Sequence, residues 1–247
     1  MKYNGKISLK DYEILLNIFK RKGYKTVKYD SVEKKSKHLI LRHDIDILPE
    51  DTIDVCDIEK KIGYKAYYFF MSNSEIYNLN SPKLKAIINY LCKSGHEIGL
   101  HFNSNKKFKN KETLDNHVNL ECKIMEHILN IKINIVSFHR PINNLLNYKY
   151  RVARRLHTYM PQFFSNIGYC SDSRGEWRFS DPTKQKEFME ETAIQLLTHA
   201  EWWNGRKDLG LNDKIKKIIK KLEKNNLVYL KNNLTNFSIK KVLKNRN

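Results

Sequence analysis

An α/β fold of parallel strands joined by helical crossovers is what this sequence predicts. Two observations carry it. Stretches of strand length, rich in aliphatic and aromatic residues, alternate with stretches that are apolar every three or four residues. Glycine or proline also marks most of the junctions between them. Such alternation builds either an open doubly wound sheet or a closed barrel, and the pattern alone does not choose between them. At 247 residues the chain is long enough for one barrel-sized domain. No internal repeat or low-complexity linker divides it, so a single domain over residues 1–247 is expected.

Taken in order, Ser8 with Asp11 three residues later signals a helix start. Leu9, Tyr12, Leu15, Leu16 and Phe19 form one stripe, and Gly23 follows Lys22, which predicts a capped helix over 8–22. Residues 24–29 read as a short extended piece. Residues 38–42 read as a strand that runs into His43-Asp44-Ile45-Asp46, and Pro49 opens a helix to about Lys61. The alternation continues with a strand over 66–71, a helix from Ser81-Pro82 to Lys93, a strand-like 96–101, a helix over 112–129 and a strand over 133–138. Shorter strand-like pieces follow at 167–170 and 194–198. Ile215, Ile218, Ile219 and Leu222 recur at helical spacing, which predicts a final amphipathic helix from Lys214 to Leu222 with its lysines toward solvent.

Composition narrows the class. With 40% hydrophobic and 30% charged residues, the chain belongs among soluble globular proteins rather than disordered or fibrous ones. No run approaches the ~18 consecutive apolar residues of a membrane span, and the polar start Met1-Lys2-Tyr3-Asn4 lacks the apolar core of a signal peptide, so a cytoplasmic location is expected. Cys56, Cys92, Cys122 and Cys170 form no CxxC pair and read as buried thiols. A formal charge of +19 favours anionic partners. Lysine is nevertheless spread along the chain, as in 106–111 and 214–224, and no nucleic-acid motif accompanies it, so no nucleic-acid partner is expected.

Chemistry gathers at the predicted strand ends: His43-Asp44-Ile45-Asp46, His101, His139-Arg140 and His199. In a barrel of parallel strands those ends converge on one face. Asp44 and Asp46, two apart on a strand, share a side and supply a metal ligand and a base together. His96 and His101, five apart around Gly99, fall on opposite sides and are not the His pair of a zincin helix. Of the two, His101 is the one placed to enter a site. Arg140 can hold a carboxylate in a bidentate grip, and His199 beside Trp202 and Trp203 reads either as an ordinary half-buried histidine with core tryptophans or as an acid next to a sugar-stacking wall.

In order, Leu41-Arg42-His43-Asp44-Ile45-Asp46, Gly95-His96-Glu97-Ile98-Gly99-Leu100-His101-Phe102, Ser137-Phe138-His139-Arg140-Pro141 and Leu196-Leu197-Thr198-His199 resemble the motifs of polysaccharide deacetylases of the NodB homology family. The resemblance covers residues 39–203 within a motif-bearing core of about 38–205. Its nearest branch is the one found with surface-polysaccharide and O-antigen (lipopolysaccharide) biosynthesis, where Asp172-Ser173, Trp177-Arg178 and Trp202-Trp203 also look familiar. It implies a distorted (β/α) TIM-like barrel and a hydrolase that removes an N-acetyl group from an acetamido sugar, nucleotide- or lipid-linked carriers included, with a divalent metal ion, usually zinc. On this resemblance Asp44 is the base, Arg140 orients it and His199 is the acid. Asp46 and His101 are metal ligands, and Asp172, Trp177, Trp202 and Trp203 contact substrate. Two departures stand out: Ile45 splits the usual adjacent aspartates, leaving the two carboxylate roles exchangeable, and Asn105 stands where a second metal histidine is expected. His139 is the candidate replacement. The alternative is a non-catalytic barrel that binds carbohydrate or a polyanion.

Overall fold

The structure, a computed structural model, describes residues 3–105, 108–178, 180–205 and 208–234. Met1 and Lys2 of the polar start, and Lys106 and Lys107 of one basic stretch, lie outside the described residues. The chain forms two compact units, 1–208 and 209–247.

The first unit is built on parallel strands. They are β1 (Lys25–Thr26), β2 (His38–Ile45), β3 (Tyr67–Phe70), β4 (Glu97–Asn103), β5 (Ile135–His139), β6 (Leu156–His157), β7 (Gly168–Ser171) and β8 (Ile194–Thr198). Their order is β6-β5-β4-β3-β2-β8-β7, with β1 off this path and paired with the start of β2. Every pairing within this sheet is parallel, as helical crossovers require. The sheet curls into a half-barrel of the (β/α) type, which is the expected class. Across the side between β6 and β8 the Gln195 side chain donates to the Thr158 and Phe163 carbonyls at 3.2 and 2.7 Å.

The helices α1 (Leu9–Arg21), α2 (Thr52–Ile62), α3 (Pro82–Lys93) and α4 (Lys111–Leu129) form where periodicity and caps predict them. Ser8, Ser81 and Asn110 accept from the Asp11, Leu84 and Thr113 amides at the starts of α1, α3 and α4. Short turns of helix not predicted from the sequence, α5 (Pro161–Phe164), α6 (Lys186–Met189) and α7 (Ala200–Trp203), interrupt the later strands. The second unit holds α8 (Leu211–Asn233), which runs well beyond the predicted 214–222 in both directions.

Period-two alternation sorts each strand. On β2, Leu39, Leu41 and Ile45 join the large core under the helices, whereas Ile40 joins Tyr67, Phe69 and Ile135 inside the curl. Arg42, Asp44 and Asp46 share the side of Ile40. Register then sets their heights. Asp44 pairs with Phe69 and Phe69 with Gly99, so two residues further on Asp46 is level with His101. His101 in turn pairs with Ser137, and His139 lies two residues higher on β5.

Candidate active site

Three side chains meet at the C-terminal ends of β2, β4 and β5. Asp46 Oδ1 lies 3.1 Å from His101 Nε2 and 3.3 Å from His139 Nδ1, and the two nitrogens are 3.2 Å apart. A tetrahedral zinc with bonds of ~2.0–2.1 Å sets its ligand atoms about 3.3 Å apart, so this triangle has the size that such an ion needs. Asp46 Oδ1 is buried with the two imidazole nitrogens as its polar neighbours, and a cation shared by the three would satisfy the carboxylate. The donor set therefore fits a divalent ion, and Asp46, His101 and His139 could hold one. Asn105 is exposed, and its backbone amide donates to the Asn103 side chain.

Beneath the triangle lies a buried relay. Arg42 donates Nε to Asp44 Oδ1 at 2.9 Å and Nη2 to Asp44 Oδ2 at 2.7 Å, a bidentate pair between groups 0% and 2% exposed. Arg42 also lies over the rings of Tyr159 and Phe69 at 4.8 and 5.7 Å. Burial alone would raise the Asp44 pKa. The Arg42 charge and the Arg42 hydrogen bonds outweigh it and hold the carboxyl below its usual range. Ser137 Oγ lies 3.2 Å from both Asp44 oxygens, 2.5 Å from Arg42 Nη2 and 3.0 Å from His101 Nδ1. The guanidinium on Asp44 is thus that of Arg42, where Arg140 was expected. Arg140 is exposed, with left-handed backbone at φ 49°, while Arg42 reaches Asp44 because residues two apart on a strand share a side.

On the other flank His199 ends β8. Its Nδ1 is 2.6 Å from Asp172 Oδ1, its amide donates to Asp172 Oδ2 at 3.1 Å, and its Nε2 is 3.9 Å from Asp46 Oδ2. Burial would lower the His199 pKa, but the charge and hydrogen bond of Asp172, with the charges of Asp46 and Glu201, outweigh it and push it up to about 10. Trp203 Nε1 donates to Asp172 Oδ2 at 2.7 Å. Asp172 and Trp203 are both 0% exposed. Contact with substrate was expected of both; here Asp172 bonds His199 and Trp203 bonds Asp172. Trp177 and Trp202 are half-buried, and Trp177 donates to the Tyr3 hydroxyl at 2.8 Å.

Three further residues bear on the site without a role assigned from the sequence. Arg42 and Ser137 sit on the inward side of β2 and β5, and that periodicity was the available signal. Glu201, two residues past His199, is buried with neither carboxyl oxygen bonded to another group. Burial and the charge of Asp46 push its pKa up to about 8; no sequence pattern singles it out. His96 lies on the opposite side of β4 from His101, where its Nδ1 accepts from the Ala66 amide at 3.1 Å. His43 likewise faces the helices, paired at 2.6 Å with Glu59, which also accepts from Tyr12 and Tyr68.

No family model matches the chain, and no curated protein sequence does. Solved structures do. A peptidoglycan N-acetylglucosamine deacetylase, solved with a naphthalenyl N-oxidanyl-benzamide, is 16% identical, with 82% of this chain and 87% of that one covered and a TM-score of 0.48. A family 4 carbohydrate esterase from Bacillus anthracis is 14% identical, with 86% of each chain covered and a TM-score of 0.45. A CE4 family pseudoenzyme from Bacillus anthracis is 13% identical, with 78% of this chain and 62% of that one covered and a TM-score of 0.41.

Proposed function

We propose that this chain is a metal-dependent carbohydrate N-deacetylase, a hydrolase that removes the acetyl group from an acetamido sugar in surface-polysaccharide biosynthesis. The observation that carries the reading is the triangle of Asp46, His101 and His139 set beside the Asp172–His199 pair, with His199 Nε2 3.9 Å from Asp46 Oδ2. A divalent ion in that triangle, zinc in the first instance, would polarise the acetamide carbonyl and lower the pKa of water from about 16 towards ~7. Asp44, kept ionised by Arg42, takes the proton of the attacking water. Arg42 and the single Ser137 proton occupy at most three of its four acceptor positions, so one remains. His199, protonated and oriented through Asp172, donates from Nε2 to the departing amine, which releases acetate and a free amino sugar. Trp202 and Trp177, both half-buried, provide apolar faces for the sugar ring. The nucleotide or lipid carrier of that sugar is left to substrate screening.

The test is elemental analysis of protein purified without chelators, wild type beside His101→Ala, joined to an assay for acetate released from acetamido sugars. Near-stoichiometric divalent metal lost in the variant, and acetate from the wild type, are expected. Wild-type protein that takes up no divalent ion even after loading would leave a non-catalytic, carbohydrate- or polyanion-binding barrel. Asp44→Asn should retain the metal and lose turnover by on the order of 10²-fold or more; unchanged turnover removes Asp44 as the base.

A further inference from the structure

Helix α8 carries a surface that the barrel chemistry does not use. At 3.6 residues per turn its 23 residues extend about 34 Å. Leu211, Ile215, Ile219, Leu222 and Tyr229 fall within an arc of about 80° around the axis, and Lys216, Lys217, Lys220, Lys221 and Lys224 occupy the other side, about 140° to 280° round. Most of the apolar arc is exposed: Leu211, Ile215, Ile219 and Tyr229 are 44%, 39%, 57% and 68% exposed, and Leu222 is half-buried. Single exposed apolar side chains are ordinary on a protein surface, whereas a row repeating every fourth residue along a helix is the mark of a docking face.

We propose that α8 lies along an anionic lipid surface, with this apolar arc at the acyl boundary and the lysines among the headgroups. Charge decides the occupant. The helix holds seven lysines against Asp213 and Glu223, a charge that complements an anionic surface and that a second, equally basic copy of this chain would leave without counter-charge. A nucleic acid would engage the lysines and leave the isoleucines in water. A bilayer rich in anionic lipid satisfies both sides of the helix at once. No helix among the described residues is long and apolar enough to cross a membrane, so α8 lies in the surface plane. This docking does not depend on the chemistry of the barrel.

The experiment is co-sedimentation of the full chain with phosphatidylcholine vesicles, with and without phosphatidylglycerol. Two variants accompany the wild type: Ile215→Asn with Ile219→Asn, which leaves the charge unchanged, and Lys216→Gln with Lys220→Gln and Lys224→Gln. All the substituted side chains are exposed, and circular dichroism reports whether the helix persists. Binding of wild type to the anionic vesicles alone, weakened on the order of tenfold or more by either variant, is expected. Three results overturn the proposal: no binding to anionic vesicles, binding that the isoleucine pair leaves unchanged, which is adhesion of a basic protein by charge only, or an oligonucleotide bound equally by the isoleucine variant and displacing the vesicles.

Discussion

Ser137 is a single hydroxyl on which the hydrogen-bond inventory closes. A serine oxygen donates one proton and accepts two. With Arg42 Nη2 at 2.5 Å and His101 Nδ1 at 3.0 Å as donors, its own proton is left for Asp44 at 3.2 Å. This arrangement puts the His101 proton on Nδ1 and leaves Nε2, the atom facing Asp46 and His139, with a free lone pair. Positioning groups of this kind behind a ligating histidine are worth 10- to 100-fold in metal affinity. Ser137→Ala should therefore weaken zinc binding in a chelator-competition titration by about that factor while the protein stays folded; unchanged affinity would mean that Ser137 does not set the ligand. A second histidine yields a pH prediction. His157 is fully buried, its Nε2 is 3.2 Å from the Tyr150 carbonyl oxygen and its Nδ1 has no partner. Burial depresses its pKa from 6.5 to about 4. Because the folded pKa is the lower one, the unfolded chain binds the extra proton, so stability is undiminished above pH 6.5 and falls as pH drops from 6.5 towards 4. The total is about 3 kcal/mol. In chemical denaturation at pH 8 and pH 4.5, His157→Gln should lose less stability than wild type by about that amount, and equal losses would exclude the effect. At this scale the sequence showed Asp44, Asp46, His101 and His199 because each ends a predicted strand. It offered Arg140 as the partner of Asp44, whereas the period of β2 brings Arg42 to that carboxylate.

Strands and long helices were legible because their patterns are local: helix starts at Ser8 and Ser81, and apolar runs of strand length along β2 to β5. What was not legible is short. β6 has two residues and α5, α6 and α7 four each, too few to carry a period, and they are held by neighbours far off in the chain. Gln195 on β8, bonded to the Thr158 and Phe163 carbonyls, is one such hold. Gly99 shows an element-level constraint that a motif conceals. A Cβ there would lie 2.3 Å from Phe69 Cε1 and 3.0 Å from the Ile135 carbonyl oxygen, because the Phe69 ring on β3 covers β4 at the level of Asp44. Gly99→Ala should destabilise the protein by about 1–3 kcal/mol in chemical denaturation, with Phe69→Leu in the same chain recovering part of it; a neutral Gly99→Ala would mean that the strand yields freely.

Across the whole molecule, an ion held by Asp46, His101 and His139 would join the C-terminal ends of β2, β4 and β5. An ion bound only by the folded state stabilises it by mass action, about 4 kcal/mol at a thousand times its dissociation constant. For a chain of this length that corresponds to a shift on the order of 10 °C in thermal midpoint. Scanning calorimetry of zinc-loaded protein should show a drop of this size on adding a chelator and almost none in His101→Ala; equal responses in both would place the ion elsewhere. The sequence by itself determined the α/β class, the strand ends that carry chemistry and the amphipathic character of the last helix, since each follows from spacing along a few neighbouring residues. Only the tertiary structure decided that the sheet curls, that His139 rather than Asn105 completes the triangle, that Arg42 grips Asp44, and that Asp172 and Trp203 turn inward to hold His199. Those outcomes depend on the register between strands and on the depth of burial, and both are set by contacts between residues far apart in the chain.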